Sequence, residues 1–278
     1  MYRQAFVFVR MLNKDKYKLR EHIMIDFSGK VALVTGGSRG IGAATVKAMT
    51  TTGAKVVLHY GSNREAAEKT AQEAGADKCH LVCAELSEVG VAGTLWREAM
   101  SWKGQVDILV NNAGVFYSAP IAGTDDAWQS AWQKTLQINL IATADLCREA
   151  INTWQASGSG GSIVNISSRA AFRGDDPAYW SYAASKGAMI SLTKTLARAY
   201  SSDGIYTYAV APGFVSTDMA LDAFEKDPEL RPRVVRDIPM GDIAPSSEVA
   251  NTICFLASGL VPHATGSTID VNGASYVR

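Results

Sequence analysis

Lys30-Val-Ala-Leu-Val-Thr35-Gly-Gly-Ser-Arg-Gly-Ile-Gly42 is the stretch on which the fold turns. The run up to Thr35 is apolar and rich in β-branched residues, the pattern of a strand buried on both faces of a parallel sheet. Glycines follow at 36, 37, 40 and 42, and Ala43 to Thr51 then reads as a helix. Strand, glycine-rich turn and helix in that order open a βαβ unit of the dinucleotide-binding kind. Gly36 permits the sharp turn, while Gly40 and Gly42 let backbone and helix approach a pyrophosphate at the helix N-terminus. Ser38, Arg39 and Ile41 complete the loop and join the candidate cofactor contacts.

Outward from that loop, the next strand is Lys55-Val-Val-Leu-His59. Sites that prefer NAD place an acid near the end of this strand, on the ribose 2′-hydroxyl. Here Tyr60 is followed by Gly61, Ser62, Asn63 and Arg64, with no carboxylate until Glu65. Arg39 adds a positive charge where a 2′-phosphate would sit, and Ser62 and Asn63 can donate hydrogen bonds to it. The pattern selects NADP(H) ahead of NAD(H).

The alternation continues with a helix over 63–74, a strand over 78–83, a helix over 88–102 and a strand over 106–110. Such an order predicts an α/β fold: a Rossmann-type doubly wound parallel sheet of about seven strands with helices on both faces. Asn111-Asn112-Ala113-Gly114 follows the fourth strand at its carboxyl end, where ligands of open sheets bind. Strands over 161–166, 205–210 and 266–271 complete the set, with a helical stretch from about 125 to 155 and a helix opened by Tyr182 that runs to Tyr200.

Tyr182 and Lys186 are four residues apart, so a helix sets both on one face. A phenol ordinarily holds its proton to pH ~10, and a neighbouring ammonium lowers that value, which makes the pair an acid/base device. Alone, the spacing proves little and reads first as an exposed helical pair. Asn139, alone, reads as solvated or capped.

The ordered set Thr35–Gly42, Asn111–Gly114, Asn139, Ile166-Ser-Ser168, Tyr182-Ala-Ala-Ser-Lys186 and Pro212-Gly213 resembles the short-chain dehydrogenase/reductase family, in its 3-oxoacyl-(acyl-carrier-protein) reductase-like branch. The resemblance spans residues 24–278. It implies that Asn139, Ser168, Tyr182 and Lys186 are catalytic. Asn139 would support the lysine through an ordered water, and Ser168, ahead of Ser167, would hydrogen-bond the substrate carbonyl oxygen. Tyr182 would protonate that oxygen, and Lys186 would lower the tyrosine pKa and bind the nicotinamide ribose. It further implies cofactor contacts from Asn112, Ala113 and Gly114, from Glu85 and Leu86 at the adenine, and from Pro212, Gly213, Val215 and Thr217 around the nicotinamide and phosphates. Two departures stand out. Glu85 replaces the usual aspartate, and the segment 169–181, with Arg173-Gly-Asp-Asp-Pro177, is about one residue longer than is usual. Relatives form homotetramers, and the resemblance implies the same.

Function classes narrow accordingly. Lys+Arg and Asp+Glu both number 27, so zero net charge gives no electrostatic case for nucleic acid or an anionic membrane. No apolar run reaches the ~20 residues that span a bilayer. Four scattered cysteines and four histidines show no metal-ligand spacing and read as a cytoplasmic protein's reduced thiols and ordinary side chains, with no metal. Residues 1–23 carry six basic and two acidic side chains and read as a non-essential extension ahead of a single domain over 24–278. Residues 218–242, charged and broken by proline, read as a lid of one or two short helices. Phe116, Phe172, Trp180, Phe214 and Met219 are candidates for an apolar pocket, and Arg169 and Arg173 for contacts with an anionic substrate. The leading expectation is an NADP(H)-dependent reductase of a ketone, such as a 3-oxoacyl thioester. Its alternatives are a dehydrogenase of a sugar, steroid or cyclic alcohol and, in another class, a non-catalytic dinucleotide sensor.

Overall fold

The computed structural model describes residues 25–278, without the side chains of 218, 219 and 223. The extension over 1–23 and the Met219 pocket contact therefore lie outside the described residues. Strand β1 is Val31–Val34, and all four of its side chains are buried. Ala32 and Val34 belong to one core and Val31 and Leu33 to another, because successive side chains leave opposite faces of a strand. A strand covered on both faces has no polar side, which is why this stretch reads as a continuous apolar run.

Six further strands join it in one parallel sheet: β2 (Lys55–Tyr60), β3 (Cys79–Cys83), β4 (Ile108–Asn111), β5 (Gly161–Ile166), β6 (Ile205–Pro212) and β7 (Thr268–Val271). Their spatial order is β3-β2-β1-β4-β5-β6-β7. The order reverses between β1 and β4, so the chain leaves these two neighbours in opposite directions and opens a crevice above their carboxyl ends. The expected α/β sheet of about seven strands is what forms.

Helices α1 (Gly40–Thr51) and α2 (Arg64–Ala74) cover one face, with Val46, Met49 and Ala67 in the first core. Helix α3 (Val91–Lys103) covers the other. The helical stretch expected from 125 to 155 is not one α-helix. It consists of α4 (Asp125–Leu136), a π-helical turn over Gln137–Ile141, and α5 (Ala142–Ser157). A four-residue helix α6 (Ala170–Arg173) precedes α7 (Trp180–Tyr200), which starts two residues before Tyr182. After β6 come α8 (Asp218–Lys226) and α9 (Leu230–Arg236), where Phe224, Val234 and Ile238 form a small core of their own. This is the expected pair of short helices. Helix α10 (Ser246–Ala257) returns to the first face and supplies Val249 and Ile253 to its core.

Candidate active site

The glycine loop sits at the β1 end of the crevice and is held from three sides. The Thr35 hydroxyl accepts from the backbone N–H groups of Asn112 and Ala113, both at 3.0 Å, which locks the β1 and β4 termini together. The Asn112 amide donates to the carbonyls of Thr35 at 2.9 Å and Gly36 at 3.1 Å, so this side chain shapes the loop and has no amide hydrogen left for a ligand. On the other side His59, 2% exposed, receives the Gly36 N–H on Nδ1 at 3.1 Å and donates from Nε2 to the Ala84 carbonyl at 2.9 Å. That pattern requires the neutral imidazole, and burial lowers the His59 pKa below its ordinary 6.5. Sequence reasoning passed over His59 as a strand residue. The available signal was a histidine in an apolar strand, beside the end that faces the loop.

Gly40 has φ +54°, a left-handed backbone that side chains resist, and Thr217 packs 3.0 Å from where a Cβ would stand. At Gly42 a Cβ would lie 2.0 Å from the Gly36 carbonyl oxygen. Thr217, from the far loop, therefore meets the glycine loop. Arg39 is exposed and, among the described residues, stands in no ion pair. Ser62 and Asn63 are exposed at the start of α2, where the Asn63 side chain accepts from Ala66 N–H at 2.9 Å as its N-cap. Of the other candidate contacts, Tyr60 (6% exposed) and Leu86 (5%) have their side chains in the two cores, leaving only their backbones for a ligand. Glu85 is exposed, and its carboxylate already accepts from Ser87 N–H at 3.0 Å. Pro212 and Val215 are buried, and Gly213 N–H donates to Val271 at 2.9 Å, which anchors that loop on β7.

The second half of the site is built by α7 against the end of β5. Lys186 is 3% exposed, and its Nζ donates to the Ile166 carbonyl at 2.7 Å. A Cβ on Gly114 would stand 3.4 Å from both Lys186 Nζ and Asn139 Oδ1, which places the Asn111–Gly114 turn directly over the lysine. Ser167 donates to the Lys186 carbonyl at 2.8 Å, so its hydroxyl is spent on the helix. The Ser168 hydroxyl accepts from Ala170 N–H at 3.1 Å and lies close enough to the Tyr182 phenol to favour its ionised form. The two serines are thus told apart by geometry.

Asn139 is fully buried in the π-helical turn. Its side chain accepts from Val115 N–H at 2.8 Å, donates back to Val115 O at 3.0 Å and donates to Ser185 Oγ at 3.1 Å. Ser185 in turn donates to the Tyr182 carbonyl at 2.7 Å. The wider turn carries this asparagine inward, and π-turns of this kind recur at functional sites. In the protein alone Asn139 is a clamp between the β4 loop and the tyrosine's own helical turn.

The electrostatics differ from the expectation that Lys186 lowers the Tyr182 pKa. Burial raises the phenol above its usual value, and the Ser168 hydroxyl offsets part of that rise. Lys186 lies 5.7 Å from the centre of the tyrosine ring, and burial pushes its own pKa down to about 8. Both groups are drawn toward their neutral forms because low-dielectric surroundings penalise charge on either. The site therefore offers a protonated phenol, as a proton donor requires, beside an ammonium whose own charge is retained below about pH 8.

The aromatic candidates divide. Phe116 meets Tyr182 edge-on at 4.7 Å and stacks on Tyr179 at 3.7 Å. Trp180 turns to Trp128, and Phe172 stacks on Tyr276, so neither joins Phe116 in one pocket. Phe214 lies against Arg169 instead. Of the thiols, Cys147 and Cys254 are buried as expected, while Cys83 is exposed.

A family model described as short chain dehydrogenase matches residues 30–228. The chain belongs to the short-chain dehydrogenase/reductase family. As such it is an NAD(P)-dependent oxidoreductase acting on CH–OH and C=O groups. This dehydrogenase/reductase is 37% identical over 251 residues to the 3β-hydroxysteroid dehydrogenase 1 of Eggerthella lenta, covering 89% of this chain and 94% of that one. It is 34% identical over 253 residues to a 3-oxoacyl-(acyl-carrier-protein) reductase of Synechocystis, covering 90% and 98%. Among solved structures, a 3-oxoacyl-(acyl-carrier-protein) reductase of Agrobacterium tumefaciens with NADP bound superposes with a TM-score of 0.84 at 31% identity, over 92% of this chain and 99% of that one. Among the described residues no helix is long and apolar enough to cross a membrane.

Proposed function

We propose that the protein is an NADPH-dependent ketone reductase whose proton donor is Tyr182. The observation that carries this reading is the buried ammonium of Lys186, 5.7 Å from the centre of the Tyr182 ring, with the Ser168 hydroxyl close enough to act on the phenol. Ser168 hydrogen-bonds the carbonyl oxygen and stabilises the charge that develops on it. Tyr182 then delivers its proton to that oxygen. Lys186, fixed on Ile166, stabilises the phenolate left behind and would hold the nicotinamide ribose. Asn139 keeps the tyrosine turn in place through Ser185. Bound NADPH supplies hydride to the carbonyl carbon. In the reverse direction Tyr182 accepts the proton and an alcohol is oxidised.

The residues fit the dinucleotide. Glycine at 36, 40 and 42 lets the loop fold tightly against the α1 N-terminus, where a pyrophosphate would be held, and Thr217 packs on Gly40 from the other side. Support for NADP(H) over NAD(H) comes from the unpaired Arg39, the α2 N-terminus at Asn63 and the absence of an acid between Tyr60 and Arg64. The reductases among the relatives suggest a 3-oxoacyl group as substrate. Residues 1–23 are read as dispensable and the protein as cytoplasmic. A homotetramer is supported by Ile141 and Trp180, each 44% exposed on the α4–α7 side.

The test is Tyr182→Phe. Turnover of acetoacetyl thioesters with NADPH falls by about 10²- to 10⁴-fold, the span general acids contribute, while NADPH binding is kept. A variant that retains most of its turnover removes Tyr182 from the mechanism.

A further inference from the structure

Arg169 is the buried charge that this mechanism leaves unused. It follows Ser168 directly, is 5% exposed, and is anchored by its backbone N–H on the Pro212 carbonyl at 3.0 Å. Its guanidinium carbon lies 5.2 Å from the centre of the Phe214 ring, and Phe214 is itself 38% exposed. A more exposed ring thus screens a less exposed cation. Nη1 is buried with no hydrogen-bond partner, and among the described residues no carboxylate forms an ion pair with Arg169. The charges that reach it are Arg173, which repels it, and Asp175 and Asp237, which attract it from a distance; burial holds its pKa below the usual arginine value.

A desolvated guanidinium with an unused N–H is an expensive arrangement that a bound oxyanion relieves, through charge and through the fork of parallel donors. Its position suits a substrate. Asp175, whose charge acts on Arg169, also acts on Tyr182, so cation and phenol border the same 169–181 segment. The Phe214 loop runs on into α8 and α9, and Asp237 directly follows α9, so the guanidinium lies against the loop that leads from β6 to those helices.

We propose that Arg169 binds an oxyanion, a carboxylate or a phosphate ester, carried by the substrate whose carbonyl meets Ser168 and Tyr182. The proposal rests on the reductase reading and sharpens it: the substrate is a ketone bearing its own acid, ahead of a neutral ketone or an ester.

The test reads binding, apart from turnover. Dissociation constants are measured by calorimetry on the complex with NADP+, which cannot reduce a ketone. The probes are acetoacetate, 4-oxopentanoate and 5-oxohexanoate, each against its ethyl ester, and dihydroxyacetone phosphate against dihydroxyacetone. In the wild type at least one anion binds about 10-fold or more tightly than its neutral partner, as a charge-assisted hydrogen bond provides. The carboxylate series against the phosphate pair identifies which acid is meant. Arg169→Met, which keeps the stem and removes the charge, brings that ratio to about one, and Arg169→Lys restores part of it. Arg173→Met, removing an exposed neighbouring charge, leaves the ratio unchanged. Should Arg169→Met fail to fold, Arg169→Lys against Arg173→Met still decides: an unchanged ratio in the lysine variant counts against the proposal. No preference for any anion in the wild type, or a ratio that survives Arg169→Met, overturns it. Failure of the reductase reading shows elsewhere, as turnover retained by Tyr182→Phe, and leaves these ratios untouched.

Discussion

Replacing Gly42 by alanine puts a methyl carbon 2.0 Å from the Gly36 carbonyl oxygen, 2.6 Å from Asn112 Nδ2 and 2.8 Å from the Gly36 carbonyl carbon. Carbon and oxygen rest no closer than about 3.3 Å, so roughly 1.3 Å must be opened between helix α1 and the glycine turn. The nearest obstacle is backbone and cannot swing aside. Moving it strains the Asn112 bond to Gly36 O and the Gly36 bond to His59, each worth about 0.5–1.5 kcal/mol net. Overpacking adds a further ~1–3 kcal/mol, so a loss of roughly 2–6 kcal/mol is expected. At about 2–4 °C per kcal/mol for a chain near this size, the melting midpoint falls by roughly 4–24 °C. NADPH affinity suffers separately, because the displaced turn is the one that accepts the pyrophosphate. A fluorescence titration of NADPH should weaken by about 10-fold or more, each factor of ten being ~1.4 kcal/mol. Gly61→Ala is the control: its Cβ meets nothing within 4 Å, so stability stays within about 0.5 kcal/mol. A Gly42→Ala protein that melts like the wild type and binds NADPH equally well refutes this account of the loop.

The remaining expectations concern three side chains around the same crevice. Ser168→Ala lowers kcat by about 10²-fold through loss of the carbonyl donor, whereas Ser167→Ala removes a helix contact, costs about 1 kcal/mol in denaturant unfolding and largely keeps kcat. Equal kinetic losses in the two variants contradict the assignment. His59 has a folded-state pKa below 6.5, so the unfolded chain takes up its proton first. Its stabilisation is complete above about pH 6.5 and is lost as the pH falls below it, and His59→Gln flattens that slope in thermal melts. A wild-type midpoint that is level from pH ~7 to ~5 goes against the loop-anchor role. Lys186, held near pKa 8, gives reduction an alkaline limb: kcat/KM declines as the pH rises through about 8, because the ammonium is then lost while Tyr182 is still protonated. A profile flat to pH ~9.5 separates the lysine charge from the reaction.

Much of this architecture was legible because its causes are local. An apolar β-branched run makes β1 wherever the rest of the chain goes, and Gly42 announces a close approach even before its neighbour is known. The spacing of Tyr182 and Lys186 required only that α7 be a helix. What stayed hidden depends on residues brought together from far along the chain. Asn111 and Asn165 meet across β4 and β5 at 2.9 Å, although the sequence puts the first in the turn after one strand and the second inside another. The π-turn that draws Asn139 inward leaves no clear signal in Gln137–Ile141, because the inserted turn is fixed by contacts to Val115 and Ser185.

The electrostatics were the least readable part, for a reason the catalytic pair makes clear. Sequence spacing gives proximity, and proximity alone argues that an ammonium lowers a phenol's pKa. The sign of the net shift is set by a competing quantity, the water removed from both groups, and that is a property of the packed site. At Tyr182 desolvation dominates, and at Lys186 it removes enough of the charge's advantage to bring the pKa within reach of working pH. Neutral phenol is the form that gives a proton to a carbonyl oxygen, so the raised value serves reduction. The charge of Lys186 then acts on the phenolate formed during the step, which matters more to catalysis than any effect on the resting tyrosine.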